Sequence, residues 1–333
     1  MMPTDFEILS LKEEAILSEE ELKNYYHNLR NFVLTRKTTN TTLGATVIGP
    51  KLKKVTTKIA IAVTKIFSTK NVEWVWDGTE HIPSGAVIFA HIHQGILDNF
   101  AWIPTLERHC LFLHGAEVNR LLLLCQMNTG LILIKKGDRE NNLNAKLDMI
   151  KHLLNGHSIT YFPEGTWNLS PNKLHLPMRY GFLDIARKAN VPVVPVVHEY
   201  TYDKVGEKTK VTKIHTKYGK AIYITPEDDI NEKLNEYQEA ISTMTFELIE
   251  EKGLFKREDI STSDYIDFLK ISYKNLKLGK LDWEKERRNI YGADDAFYLF
   301  NHINDIPFDD NGNLLDTEES IRLERLFDKN RYR

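Results

Sequence analysis

The sequence predicts an α/β fold: a largely parallel central sheet flanked by helices, with an N-terminal helical segment and a C-terminal helical extension. Three observations predict it. Short apolar runs alternate with helical patterns between about residues 85 and 197. One run, residues 191–197, is apolar almost throughout, the mark of a strand buried on both faces. The 333 residues, 42% hydrophobic and 27% charged, suit one large domain with appendages and exclude a wholly disordered chain.

Each element has its own signal. Ser18-Glu19-Glu20-Glu21 reads as a capping box, so a helix starts there, with Tyr25, Tyr26, Leu29, Phe32 and Val33 on one face. A polar Thr/Asn linker at 38–42 separates it from a second helix predicted over 51–67. There Leu52, Val55, Ile59, Val63 and Ile66 form an apolar stripe, with Lys51, Lys54, Lys58 and Lys65 alongside. That pattern suits a helix lying in a membrane interface, or one packed on the core with a solvated lysine face. Strands are predicted at 85–90, 131–135, 160–162 and 191–197. Helices are predicted at 96–106, over the stretch marked by Leu143, Leu147, Ile150 and Leu154 and closed by Gly156, and at 178–189. A surface helix comes next at 234–251, and the acidic, aromatic remainder is helical in tendency. The chain thus divides into residues 1–70, N-terminal amphipathic helices; 71–252, the main domain; and 253–333, an extension of unassigned role. Asp309-Asp310-Asn311-Gly312 reads as a turn, because a calcium loop with Gly312 sixth would begin on Pro307, where a carboxylate belongs.

The net charge of −3 conceals an asymmetry. Residues 22–72 hold ten Lys or Arg and no Asp or Glu, whereas residues 226–333 hold 16 basic and 26 acidic residues. A basic cluster that excludes acids points to an anionic surface. Nucleic acid is not that surface, since the stretch carries no recognition module and the tail is acidic. Cys110 and Cys125 lie in apolar surroundings without CxxC spacing and read as reduced core thiols of a cytoplasmic protein. The acidic first 21 residues do not read as a signal peptide. The longest apolar runs fall far short of the ~20 residues a spanning helix needs.

The chemistry centres on His93-Gln94-Gly95-Ile96-Leu97-Asp98, set where a predicted strand gives way to a helix. A carboxylate there can orient the imidazole, making His93 a general base for a hydroxyl. No Ser or Cys occupies a nucleophile elbow, so the simplest use is direct attack of an acceptor alcohol on an activated acyl group. In Tyr161-Phe162-Pro163-Glu164-Gly165-Thr166, Glu164 stands on a tight strand-end turn, where a buried carboxylate needs a partner. His93, Lys136 and Glu164 all fall at carboxyl ends of strands, where open α/β sheets gather their ligands. His91 shares a face with His93 and reads as packing or support. A metal held by His91 and His93 lacks a third ligand at any suggestive spacing.

Four segments, taken in order, resemble the motifs of the glycerolipid acyltransferase superfamily, whose members include glycerol-3-phosphate and 1-acylglycerol-3-phosphate acyltransferases. They are His93 with Asp98; Gly130-Leu131-Ile132-Leu133-Ile134-Lys135-Lys136; Phe162-Pro163-Glu164-Gly165-Thr166; and Val191-Pro192-Val193-Val194-Pro195-Val196. The resemblance spans roughly residues 70–250 and implies a glycerol-3-phosphate acyltransferase-like fold. It implies His93 as catalytic base with Asp98 as its orienting partner, and Lys136 with Arg139 at a phosphate. It also implies Glu164, Gly165 and Thr166 at the acceptor, and Pro195 at the acyl-donor pocket. Two positions depart from the family's pattern. Lys136 stands where Arg is usual, keeping the cation but losing its bidentate fork. Trp167 comes after Thr166 where Arg is common, which removes a cation expected to hold the acceptor's phosphate.

The activity that the resemblance implies is that of an O-acyltransferase, moving a fatty acyl group from acyl-CoA or acyl-carrier protein to a hydroxyl of a lysophospholipid such as 1-acylglycerol-3-phosphate. No metal or bound organic cofactor is required. The basic N-terminal helices would seat the protein peripherally on anionic membrane. Trp167 and the unmatched tail motivate a second reading, the same chemistry on a glycan, aminolipid or secondary metabolite. A catalytically silent lipid-binding module is a third, and the intact His93 and Asp98 argue against it.

Overall fold

The computed structural model of the chain describes residues 6–39, 41–43, 72–94, 97–98, 108–115, 130–135, 137–165, 168, 174–176, 178–205 and 208–251. The helix expected at 51–67 and all but Leu97 and Asp98 of the one expected at 96–106, together with Cys125, Lys136, Thr166, Trp167 and residues 253–333, lie outside the described residues. The helices are α1 (Leu11–Glu14), α2 (Glu19–Thr35), α3 (Arg139–Leu154), α4 (Gly181–Ala189) and α5 (Ile230–Glu251). The strands are β1 (Thr42–Leu43), β2 (Glu73–Asp77), β3 (Ile88–His91), β4 (Cys110–Gly115), β5 (Leu131–Ile134), β6 (Ser158–Tyr161), β7 (Val193–Val205) and β8 (Lys208–Tyr218).

All eight strands join one sheet in the order β1-β5-β4-β6-β3-β7-β8-β2. The pairings are parallel except β1 with β5 and β7 with β8. The largely parallel α/β architecture expected from the alternation is therefore the observed one. Strands β1, β2, β4 and β8 were not among those expected. Of these, β8 alternates its residues, with Ile214, Thr216 and Tyr218 turned inward. The strand expected at 191–197 also runs on to Val205. It does so because β8 pairs with it antiparallel, from Val196 opposite Tyr218 to Val205 opposite Lys208. The added ladder orders residues whose polar character gives no strand signal.

The N-terminal segment is built into this frame. The capping box of α2 forms as its sequence requires, with the Ser18 amide donating to Glu21 Oε2 at 2.8 Å and the Glu21 amide to Ser18 Oγ at 3.4 Å. Tyr26, Leu29 and Val33 are buried, and α2 packs on α3 and α4. Three cations of α2 and its C-cap make contacts within the chain, Lys23 at the surface and Arg30 and Arg36 half-buried. Lys23 pairs with Glu227 at 3.0 Å, Arg30 Nε donates to the Lys188 carbonyl at 2.7 Å, and Arg36 Nη2 donates to Asn144 Oδ1 at 2.9 Å. Ahead of it, α1 delivers Glu14 to a buried charge cluster. Glu14 meets Arg187 at 2.8 Å and Lys188 at 2.5 Å, and accepts from the Tyr26 hydroxyl at 2.7 Å. Asp184 joins Lys188 at 2.5 Å and contacts Lys146. Burial pushes its carboxyl up, but the two ammonium groups outweigh that and hold it at about 2.

The sheet's two faces are unequal. Helices α2 to α5 all contribute to one apolar cluster on the face that presents Ile88, Ala90, Ile92, Ile159, Val193 and Val197. The opposite face carries a smaller cluster of Val87, Phe89, Cys110, Val194, Val196 and Tyr218. Because strand residues alternate, β3 sends Ile88, Ala90 and Ile92 toward the helices, while Phe89, His91 and then His93 belong to the other side. From α5, Tyr237 donates to the Ala90 carbonyl at 3.0 Å and anchors that helix over β3.

Candidate active site

The centre of the site is the loop leaving β3. His93 Nδ1 lies 2.9 Å from Asp98 Oδ2, so the two residues singled out by their spacing do meet. The same oxygen accepts the Gln94 amide at 2.5 Å, which ties the carboxylate to the start of its own loop. Asp98 is fully buried and the His93 side chain retains 14% exposure, so the imidazole reaches solvent while its partner does not. Burial pushes the Asp98 carboxyl up. The His93 hydrogen bond, the neighbouring His198 and His93 rings and a hydrogen bond from Tyr200 together outweigh it, so Asp98 titrates below the usual carboxylate range. A carboxylate that stays ionised against Nδ1 makes Nε2 the basic nitrogen of the ring.

Glu164 comes in from β6. Its turn places Pro163 second and closes with the Gly165 amide donating to the Phe162 carbonyl at 3.0 Å. Gly165 has φ +66 and no atom within 4 Å of a Cβ built on it, so the glycine serves backbone conformation and not close packing. The turn aims Glu164 back at the dyad. Its Oε2 accepts the His93 amide at 3.0 Å and its Oε1 accepts the Leu176 amide at 2.8 Å. The buried carboxylate thus clamps the loop that carries His93, finding in backbone the partner its burial demands. The Asn168 amide donates to the His93 carbonyl at 2.5 Å. The Phe162 ring lies 4.1 Å from the His93 ring, centroid to centroid. Arg139 opens α3, exposed beside the Asp138 cap, and Lys136 and Thr166 lie outside the described residues.

Three more side chains, none with a local signal in the sequence, reach the dyad's surroundings from distant strands, and His91 joins them from the end of β3 itself. Tyr200, on the extended part of β7, donates its hydroxyl to Asp98 Oδ1. His198, two residues earlier, sets Nε2 at 2.9 Å from His91 Nδ1 and Nδ1 at 3.0 Å from Thr216 Oγ1. His91 is thus packed in the interior against His198, the packing role expected of it. His114, from β4, completes the group. Burial first, then the neighbouring charges of His198 and His93, hold His91 well below the ordinary imidazole value. Burial, with the His93 charge, puts His198 and His114 at about 4, although Asp98 pulls His198 the other way. These rings stay neutral at neutral pH beside His93. The longer-range signal available in the sequence was the alternation Val196, His198, Tyr200, which puts all three on one face.

Among the described residues, one cluster has metal-ligand geometry: Asp77, His215 and Glu251, with ligand atoms within 4.8 Å of one another. Asp77 contacts His215 Nε2 while Glu251 faces Nδ1 at 3.9 Å, and Lys217 stands 3.9 Å from Glu251. The carboxylates address opposite ring nitrogens and a lysine competes, which describes a surface ion-pair network.

Residues 75–199, the stretch containing His93, Asp98, Glu164 and β3 to β6, match the family model described as Acyltransferase. No curated protein matches the sequence. Among solved structures, a similar one is the 1-acyl-sn-glycerophosphate (LPA) acyltransferase PlsC from Thermotoga maritima, with a TM-score of 0.44 and 18% identity over 74% of this chain and 88% of that one.

Proposed function

We propose that this acyltransferase, whose residues 75–199 match the Acyltransferase family model, moves a fatty acyl group from acyl-CoA or acyl-carrier protein to a hydroxyl of a lysophospholipid such as 1-acylglycerol-3-phosphate. The observation that carries the reading is the contact of His93 Nδ1 with the buried Asp98 carboxylate at 2.9 Å inside the matched stretch. His93 Nε2 takes the proton of the acceptor hydroxyl as its oxygen attacks the thioester carbonyl carbon. The tetrahedral adduct collapses with cleavage of the carbon–sulfur bond, and the proton on His93 passes to the departing thiolate. Asp98 holds the tautomer and offsets the charge that His93 acquires on the way. Glu164 keeps the His93 backbone in place. Phosphate on the acceptor is held by Lys136 and Arg139 as point charges.

Attachment to the membrane belongs to the same proposal. Arg30 and Arg36 of the acid-free stretch are engaged within the fold, and docking on anionic lipid falls to residues 44–71 with Lys51, Lys54, Lys58 and Lys65. Among the described residues no helix is long and apolar enough to cross a membrane.

The test is incubation of purified protein with labelled acyl-CoA and acyl-carrier protein against a panel of lysolipids, sugars and amines. Wild type should acylate a phosphorylated lysolipid, and His93→Ala should lose roughly 10²–10⁴-fold in turnover while remaining folded. Near wild-type turnover of folded His93→Ala would refute the mechanism. Transfer only to sugars or amines would refute the acceptor assignment. Sedimentation with vesicles rich in anionic lipid, weakened by salt and by changing the four lysines to Glu, tests the docking.

A further inference from the structure

Building on the reading of His93 as the base, we propose that Tyr200 is a positioning residue, which fixes the plane of the Asp98 carboxylate and through it the orientation and basicity of the His93 ring. Two donors, His93 Nδ1 and the Gln94 amide, converge on Asp98 Oδ2 at 2.9 and 2.5 Å. Both belong to the loop that Asp98 itself sits on. The Tyr200 hydroxyl reaches the other oxygen, Oδ1, from a different element, more than a hundred residues along the chain. Donors on both oxygens, arriving from separate elements, restrict rotation of the carboxylate in a way that two donors on one oxygen do not.

The framework makes that contact reproducible. Strand β3 ends at His91, opposite Val196, but β7 continues past it because β8 supplies a ladder on its far side. His198 and Tyr200 therefore flank the β3 loop on a rigid two-stranded ribbon. His198 is itself held between Thr216 Oγ1 at 3.0 Å and His91 Nδ1 at 2.9 Å. Tyr200 is 3% exposed, which excludes water as a competitor for its hydroxyl.

The sign of its effect is set by charge. A phenol donating to Oδ1 stabilises the ionised carboxylate, so its removal makes the coupled dyad hold its proton more tightly. The acid limb of activity then moves to higher pH.

The experiment compares wild type, Tyr200→Phe and a protein carrying 3-fluorotyrosine, a stronger donor, at position 200. Phe keeps the buried ring and removes one oxygen, and the fluorinated residue keeps the hydroxyl. Expected for Tyr200→Phe is a roughly tenfold lower kcat with donor and acceptor KM within about twofold of wild type, as befits a group that touches neither substrate. Its kcat/KM acid limb should rise by about half to one pH unit, and 3-fluorotyrosine should move the limb the other way. The ¹⁵N imidazole titration of His93 in substrate-free protein, assigned with His93→Ala, should shift in the same two directions. An unmoved His93 midpoint in both variants overturns the proposal, whatever happens to stability, since it would leave Tyr200 a packing residue alone. Failure of wild type to transfer any acyl group sinks the acyltransfer reading instead, and the imidazole titration still decides the role of Tyr200.

Discussion

Glutamate and glutamine share a shape but not a hydrogen-bonding pattern, and at position 164 the structure uses the difference. Both carboxylate oxygens accept backbone amides, one from His93 and one from Leu176. In Glu164→Gln one of those amides would face an NH₂ group, donor against donor, in a buried site. The expected result is a loss of about 1–3 kcal/mol in urea unfolding, together with lower turnover as the His93 loop loosens. Wild-type stability and turnover would show that the contacts of Glu164 to the His93 and Leu176 amides do not hold the loop in place. Glu164 was legible as a buried carboxylate in need of a partner, and the spacing of His93 and Asp98 announced their pairing. Tyr200 and His198 were not legible as site residues. Their place beside the dyad depends on the register of β7 on β3, a long-range pairing that no local pattern encodes, and the polar run beyond residue 197 reads as the end of a strand.

Helix α2 carries the same lesson at the scale of an element. Its start was legible because a capping box is a local code, and so was its buried face, since a period of 3.6 fixes which residues align. The same code, Ser10 with Glu13, starts α1, where the Ser10 amide donates to Glu13 Oε2 at 2.6 Å. The sequence does not show the surface that α2 covers. Its cations suggested lipid, yet Arg30 and Arg36 reach the carbonyl of Lys188 and the side chain of Asn144. Leu29 is fully buried in the main core cluster. Leu29→Ala should therefore destabilise the protein by about 2–5 kcal/mol. Far-UV circular dichroism and tryptophan fluorescence should also lose their signals in one coincident transition. Separate transitions, or a loss well under 1 kcal/mol, would mean that the N-terminal segment is a detachable appendage.

At the scale of the molecule, the sheet face that holds the site gathers imidazoles that burial keeps neutral, and this ties stability to pH. His198 and His114 titrate at about 4 in the folded protein, against an ordinary value of 6.5. His91 lies well below 6.5 for the same first cause, burial. Between those limits the unfolded chain binds protons that the folded one refuses, so stability falls as pH falls from 6.5 toward 4 and is fully present above 6.5. At about 1.4 kcal/mol per pH unit, each of the two rings near 4 contributes on the order of 3 kcal/mol over that window. The lowered Asp98 acts in the same direction but further down, below its ordinary value of 3.8, and so adds nothing between pH 5 and 7. Urea midpoints at pH 7.5, 6.0 and 5.0 should accordingly fall steeply, with an unchanged slope m if unfolding stays two-state. His198→Gln should be less stable than wild type at pH 7.5, because the contacts to His91 and Thr216 are disturbed. It should nonetheless lose less on acidification, because one proton-refusing group is gone. Equal stability of wild type at pH 7.5 and 5.0, or an equally steep loss in the variant, would show that the buried imidazoles do not govern the acid sensitivity of the fold.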